Sequence, residues 1–158
     1  MEKEIKDSGN RTQFESGAVR DIQEGKGRMD LLPLGVCAGV LKDMVFDMIS
    51  SYRETGEELF LFDAVHHAMM EMFPGVNEYT VMMEVSKHFE AGAKKYGERN
   101  WEKGIPVSRY IDSALRHYCK AKTGWDDEPH ERACIWNLIC AIWTIRRKPE
   151  LDDFSLKN

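Results

Sequence analysis

The sequence has few of the features that mark secreted or membrane proteins. Its four cysteines, Cys37, Cys119, Cys134 and Cys140, form no CxxC pair, and no apolar run is long enough to span a bilayer. The opening residues, MEKEIKDSGN, are charged and polar, unlike the apolar segment of a secretory signal. We therefore expect free thiols in a cytoplasmic protein that has no membrane partner.

Basic residues are in deficit. The 158 residues include 22 Lys and Arg against 27 Asp and Glu, so the net charge is −5. Proteins that bind nucleic acid without sequence preference need a basic surface, so nucleic acid is not expected as a partner. A small triphosphate remains open as a ligand, because a local basic pocket is enough to bind it.

Several hydrolase motifs are also missing. The chain contains no GxxxxGK[S/T] phosphate loop, no GxSxG nucleophile turn and no HExxH zinc motif. A paired His-Asp step followed by a metal set, as in HD phosphohydrolases, is absent as well. Any chemistry must therefore come from side chains that the fold brings together.

Helical periodicity dominates the chain after residue 33. Apolar residues recur every three or four positions, and no strand-like alternation of useful length appears. With glycine and proline as breaks, the pattern predicts five helices over 34–52, 59–73, 78–96, 109–121 and 129–147. Asn77 and Ser108 are predicted N-caps, and Gly97 is predicted to end the third helix. The prediction is one all-α domain, a helical bundle over 34–158.

Residues 1–33 are predicted to form an irregular N-terminal arm, since glycines and a proline punctuate them. Lys26 lies between two glycines and Arg28 follows, so backbone N–H groups and two cations could approach an anion closely. Two interpretations stay open. The arm is either a flexible tail or a segment that covers the active site and binds substrate.

Polar residues crowd the stretch from Glu84 to Asn137. Acids, imidazoles and amides lie beside the apolar stripe, where burial is costly unless each finds a partner. Helices that present such groups inward build metal sites in bundles. The predicted metal ligands are Glu84, His88, Asp127 and His130, and the predicted catalytic residues are Glu90, Asp112 and His117. Oxygen ligands favour Mg²⁺ or Mn²⁺, and imidazole shifts the preference towards Mn²⁺ or Co²⁺.

Each of these groups also has a plainer interpretation. Glu84 and His88 could be a surface pair, and Asp112 and Arg116 an i,i+4 salt bridge. The acids before the last helix could only favour its positive N-terminus, with His130 as its cap. A zinc set is a further alternative, but its spacing is not that of a zinc ribbon. Its members would be His117, Cys119, His130 and Cys134.

A basic loop with aromatic residues, KKYGERNWEKG, follows the third predicted helix. Cations and amide donors suit a triphosphate, and an aromatic ring can stack on a base. The alternative is a solvated turn whose tryptophan packs on the core. The predicted substrate-binding residues are Lys26, Arg28, Lys95, Tyr96, Arg99, Asn100, Trp101, Lys103, Arg116 and Asn137.

Four segments together resemble the phage dATP/dGTP diphosphohydrolase family. They are RTQFESGAVRDIQEGKGRMDLLP, HFEAGAKKYGERNWEKGIP, YIDSALRHY and DDEPHERACIWN. The resemblance covers about residues 8–34 and 82–154 and makes 35–80 an additional helical segment. It implies a MazG-like, all-α, oligomeric enzyme of the host cytoplasm. With a divalent metal, such an enzyme cleaves a purine deoxynucleoside triphosphate into its monophosphate and pyrophosphate.

The chain departs from the MazG pattern, in which an ExxE pair is followed by ExxD. Glu54 and Glu57 fit ExxE, but Glu150 and Asp153, which fit ExxD, come far too late. Metal ligands are therefore not transferable from MazG. Two other functions remain open: a phosphohydrolase that releases inorganic triphosphate, and a helical phage adaptor or regulatory module without catalysis.

Overall fold

The computed structural model describes residues 3–157, and the framework of that part of the chain is six α-helices. The all-α class is confirmed. The helices are α1 Leu34–Leu41, α2 Met44–Thr55, α3 Leu59–Met72, α4 Glu78–Tyr96, α5 Val107–Lys122 and α6 His130–Arg147. Short 3-10 helices cover Met29–Leu31, Asn100–Lys103 and Pro149–Leu151.

The first predicted helix is wrong as a single element, because it divides into α1 and α2. Lys42 takes the left-handed backbone conformation with a φ of 52° and ends α1. The Asp43 side chain then accepts a hydrogen bond from the Phe46 N–H at 3.1 Å, which gives α2 its own N-cap. The apolar stripe continues across this break, so periodicity alone does not reveal it.

The predicted boundaries of α4 are confirmed, but the predicted cap of α5 is wrong. The Asn77 side chain accepts from the Tyr79 N–H at 2.9 Å, and Gly97 ends α4 with a φ of 95°. Ser108 lies inside α5. Its N–H and its hydroxyl donate to the Asp153 carboxylate at 2.8 and 2.6 Å, so the residue attaches the C-terminal segment to the helix.

The N-terminal arm is not wholly irregular, because it contains a β-hairpin. Strands β1 (Arg11–Gln13) and β2 (Val19–Asp21) pair antiparallel, with Thr12 opposite Arg20. Each strand has three residues, too few for alternation to show in the sequence. Ala18, just before β2, is fully buried, so the hairpin packs against the helical domain.

The core lies around α5 and α6, which make the most extensive helix contact. Tyr110, Ile111 and Leu115 of α5 are fully buried, as are Ile135 and Leu138 of α6. Helices α3 and α4 pack on α6, and α2 packs on α3. Among residues 3–157 no helix has the length and apolar character needed to cross a membrane.

Candidate active site

A cavity of about 430 Å³ lies between the N-terminal arm and the helices α4, α5 and α6. The arm contributes β2 and residues on both sides of the hairpin. The 3-10 helix after α4 contributes Asn100 and Trp101. Phe89 and Trp136 add aromatic surface, so the cavity combines polar and aromatic walls of the kind that enclose small ligands.

Positive charge predominates in the lining although the whole chain is acidic. Four acids, Asp7, Asp21, Asp112 and Glu128, face eight basic residues. A cavity with this surplus, in a chain of net charge −5, is suited to an anionic ligand. The basic residues are Lys6, Arg20, Lys26, Lys95, Arg99, Arg109, Arg116 and Lys120.

Arg20 of β2 is a cavity cation that the sequence analysis missed. Its Nη2 donates to Asn137 Oδ1 at 3.0 Å and to Ser113 Oγ at 3.2 Å. Its guanidinium lies over the rings of Tyr110 and Trp136, at 5.3 and 5.6 Å. Its Nη1 is buried without a hydrogen-bond partner, and no carboxylate in residues 3–157 pairs with it. Arg20 lies within the segment RTQFESGAVRDIQEGKGRMDLLP that carries the family resemblance, but the predicted substrate-binding residues of the arm are only Lys26 and Arg28.

His88 reaches the cavity, but its predicted metal partner does not. The ring is buried and lies 5.4 Å from the ring of Trp136. Its Nδ1 has no hydrogen-bond partner among the residues that the structure describes. Burial lowers the pKa of His88 to about 3, and the nearby charges of Arg132, Arg20 and Lys95 act in the same direction. The neutral imidazole is the form that binds metals, but the surrounding cations would repel a metal ion at this position.

The predicted acids of α4 lie outside the cavity. Glu84 pairs with Lys87 at 3.0 Å, and Glu90 pairs with Lys94 at 3.7 Å. All four side chains are at least 42% exposed. The plainer interpretation, a solvated helix face, therefore describes Glu84 and Glu90, and the structure does not bring them to His88.

Asp112 is buried, and its oxygens already have partners. It accepts from the Met29 N–H at 2.7 Å, from Gln23 Nε2 at 2.6 Å and from Arg116. The i,i+4 salt bridge with Arg116 is thus present, and Arg116 also donates to the carbonyl oxygen of Gly27 at 3.0 Å. Asp112 joins the arm to α5, which leaves it poorly placed to act on water.

His117 joins a chain of hydrogen bonds that ends at the cavity. Its Nδ1 lies 2.8 Å from His130 Nδ1, and His130 Nε2 lies 2.7 Å from Asp127 Oδ1. Lys6 Nζ pairs with the second oxygen of Asp127 at 2.6 Å. His117 lines the cavity, whereas His130 is fully buried behind it and Asp127 is outside the lining.

The basic loop holds the arm as well as lining the cavity. Asn100 Nδ2 donates to the Val19 carbonyl at 2.7 Å, and Asn100 Oδ1 accepts from the Val19 N–H at 2.9 Å. The Tyr96 hydroxyl accepts from the Asp21 N–H at 3.1 Å, and Lys95 Nζ donates to the Lys6 carbonyl at 2.7 Å. Asn100 therefore binds the hairpin backbone with both ends of its amide.

The remaining predicted substrate-binding residues divide between the cavity and the outer surface. Trp101 lines the cavity and packs edge-on against Trp143 at 5.0 Å. Lys26 lines it too, paired with Asp21 at 3.1 Å. Arg99 lines it, paired with Glu102, while Arg28 pairs with Asp30 beside a second, shallow cleft. The exposed Lys103 is outside both, and the buried Asn137 lies in the cavity.

A family model described as "dATP/dGTP diphosphohydrolase, N-terminal" matches residues 64–154, which is more than half of the chain. The chain belongs to this family. No curated protein and no solved structure matched the chain.

The match to the dATP/dGTP diphosphohydrolase N-terminal family covers α4, α5 and α6 and begins within α3. It therefore includes residues 64–80, the end of the segment predicted to be an addition. The arm, with Arg20 and Lys26, lies outside the matched residues. The matched residues thus include the helical walls of the cavity and exclude the hairpin wall that packs on them.

A divalent metal, implied by the resemblance, can be tested against the side chains present. His117, Glu128 and His130 have ligand atoms within 4.8 Å of one another. However, His130 uses both ring nitrogens for hydrogen bonds, and Glu128 Oε1 accepts from the Lys6 N–H at 2.8 Å. An ion would have to displace these bonds, so the group as arranged does not fit a metal site. Neither Cys119 nor Cys134 belongs to it.

Proposed function

We propose that the protein hydrolyses a purine deoxynucleoside triphosphate between the α- and β-phosphates and releases the monophosphate and pyrophosphate. The observation that carries the proposal is the surplus of cations in an aromatic-walled cavity of an acidic chain. Family membership supports it, since the family description names a diphosphohydrolase of dATP and dGTP.

Three cavity cations have a charge that no carboxylate of the described residues neutralises, so this charge is available to a phosphate. Arg20, Arg109 and Lys120 have no carboxylate partner within residues 3–157, and all three lie on the walls formed by β2 and α5. Burial lowers the pKa of Arg109 to about 10, so its guanidinium stays charged at neutral pH. Placed around a triphosphate, these cations would offset the charge that builds up on the phosphate oxygens.

The aromatic side of the cavity suits a purine. Phe89 and Trp136 lie 5.8 Å apart between ring centres, and Phe89 and Trp101 lie 5.5 Å apart. All three residues line the cavity. A flat base can stack on such rings, which gives binding energy without requiring a particular base.

The divalent ion, Mg²⁺, Mn²⁺ or Co²⁺, is expected to come with the nucleotide. Phosphate oxygens are ligands that Mg²⁺ prefers, and it is commonly bound by substrate phosphates with few protein groups. The ion would supply charge neutralisation on the phosphates when bound. This expectation differs from a resident ion held by Glu84, His88, Asp127 and His130.

The first prediction tests this reaction with each dNTP and NTP in MgCl₂ or MnCl₂, read by anion-exchange chromatography. dGTP or dATP should give its monophosphate and pyrophosphate. Arg109→Met should lower kcat/KM by about tenfold to a hundredfold, because a charge-assisted hydrogen bond is lost. Lys103→Met, an exposed lysine outside the cavity, is the matched control and should leave turnover unchanged.

Two outcomes would contradict the proposal. Release of a nucleoside with inorganic triphosphate would show the rival phosphohydrolase reaction. Absence of turnover with every nucleotide, in protein whose circular dichroism is helical, would favour the non-catalytic phage adaptor.

A further inference from the structure

The hydrogen-bond chain from Asp127 to His117 has a defined direction. Two bonds of 2.7 and 2.8 Å join Asp127 to His130 and His130 to His117. The three residues come from the segment before α6, from the first turn of α6 and from α5. In the part of the chain that the structure describes, His117 Nε2 has no hydrogen-bond partner. The series of hydrogen bonds therefore ends at the unpaired Nε2 of His117, a residue that lines the cavity.

The positions of the protons follow from the acid at the other end. Hydrogen bonds from Lys6 and His130 hold the pKa of Asp127 below its ordinary range, so its carboxylate only accepts. His130 then donates from Nε2. In the tautomer that leaves His130 Nδ1 unprotonated, that nitrogen accepts from His117 Nδ1. In a neutral His117 the open Nε2 is then the unprotonated nitrogen, the form that can take up a proton.

We propose that His117 Nε2 is the general base that takes a proton from the attacking water, and that His130 and Asp127 are positioning residues that hold His117 in this tautomer. The inference rests on the proposed function, because it assigns the base for that hydrolysis. It differs from a mechanism in which a protein-bound metal activates the water, since the same side chains are engaged with one another.

The step balances in atoms and charge. The water oxygen forms a bond to the α-phosphorus, and the bond from that phosphorus to the bridging oxygen of the β-phosphate breaks. The water proton moves to His117 Nε2, which becomes an imidazolium. Pyrophosphate leaves with the electron pair of the broken bond. The positive charge on His117 is stabilised through His130 by the carboxylate of Asp127, as in other acid–histidine pairs.

The position of His117 in the cavity places it among cations that a bound triphosphate would offset. Burial lowers its pKa, and His130, His88, Arg20 and Lys120 act in the same direction. The acids near His130, Asp127 and Glu128, both interact with Lys6. Asp127 forms a salt bridge with Lys6 Nζ, and Glu128 accepts a hydrogen bond from the Lys6 N–H. A triphosphate would offset the cations and raise the pKa of His117 towards neutrality, where a base is most effective.

The second prediction concerns three variants. His117→Gln should lower kcat by about a hundredfold to ten-thousandfold, the usual contribution of general-base catalysis, with helical circular dichroism retained. Asp127→Asn should lower kcat with little change in KM and should shift the acidic limb of the pH–rate profile. Asp126→Asn, the exposed neighbouring acid, is the matched control and should match the wild type in both.

A second measurement needs no turnover. In protein with ¹⁵N-labelled histidine, NMR should show His117 protonated at Nδ1 and His130 at Nε2, and Asp127→Asn should disturb both assignments. His117 protonated at Nε2 would overturn the proposal. So would tight binding of Mn²⁺ alone to the nucleotide-free protein, read by electron paramagnetic resonance, if His117→Gln abolished it. Wild-type protein that hydrolyses no nucleotide would refute the proposed function. The tautomers measured by NMR would still test the hydrogen bonds that join Asp127, His130 and His117.

Discussion

At the scale of single residues, His88 shows how the fold controls charge. The imidazole is 7% exposed, and its pKa lies near 3 because burial disfavours the charged form. Within residues 3–157, the nearby charges of Arg132, Arg20 and Lys95 also disfavour protonation of His88. The site therefore holds His88 neutral at every pH at which the protein is expected to work.

The third prediction is that His88 makes the protein less stable in mild acid. Between pH 7 and 5 the unfolded chain takes up a proton at His88, whose ordinary pKa is 6.5, while the folded protein does not. The unfolding free energy should fall by up to about 2 kcal/mol from this residue alone. The loss should end below about pH 3, where both forms are protonated.

Urea unfolding at pH 7 and pH 5, followed by circular dichroism, measures this effect. His88→Gln should show a smaller decrease between the two pH values than the wild type. His66→Gln, which changes an exposed histidine on α3, should behave as the wild type does. An unchanged decrease in His88→Gln would refute the assignment.

At the scale of elements, the arm is attached to the helices by polar contacts. Asn100 binds both backbone groups of Val19, and Asp112 binds Gln23 and Met29. A tail that is mobile until substrate binds would not need these buried partners. The contacts indicate that the arm is a structural wall of the cavity.

The fourth prediction tests this attachment. Asn100→Ala leaves the N–H and carbonyl of Val19 without partners, which should lower stability by about 1–3 kcal/mol. It should also speed proteolysis within residues 3–28 and raise KM for the nucleotide, because Arg20 would no longer be held. Asn10→Ala, an exposed asparagine in the same arm, is the control for both readouts. Equal proteolysis of the two variants would contradict the role of Asn100.

The elements also show what the sequence can predict. The helices after Gly56 follow from apolar periodicity and from the breaks around Pro74 and Gly97, because each stripe packs on one side. The turn at Lys42 does not, since a left-handed lysine is uncommon and leaves the apolar pattern intact. The hairpin is too short to show a period, so Arg20 was not placed in the site.

The candidate site was predictable where its contacts are local. Asp127 and His130 are three residues apart, so their pairing was expected, although as metal ligands and not as hydrogen-bond partners. The contact of His117 with His130 depends on how α5 packs on α6, which periodicity does not fix. The positive charge of the cavity also depends on tertiary packing, because its cations come from the arm and from separate helices. Periodicity alone therefore does not predict it.

At the scale of the whole molecule, apolar side chains remain on the surface at α1. Val36 and Val40 are 67% and 77% exposed and lie four apart on one face, and Leu31 before the helix is 69% exposed. Residues 31–41 contain no charged side chain, so two copies could meet there without repulsion despite the net charge of −5. The implied homo-oligomer is therefore predicted to use this face for its contact between copies.

The fifth prediction follows. Sedimentation velocity should show an oligomer of the wild type, and Val40→Glu should dissociate it by placing a charge in the contact. Tyr79→Glu, which changes an 82% exposed residue on α4, should leave the assembly intact. A monomeric wild type, or equal behaviour of the two variants, would refute this face as the contact.

The hairpin wall also bears on the timing of turnover. One side of the cavity is a terminal segment held by side-chain amides and carboxylates, while the other sides are packed helices. Products enclosed by such a wall leave most readily when the segment moves away from the helices. This movement breaks the hydrogen bonds that Asn100 and Asp112 make to the arm. Under the proposed function, the residence time of pyrophosphate in the cavity would be set by detachment of the arm, so weaker attachment of the arm would give faster product release together with weaker nucleotide binding.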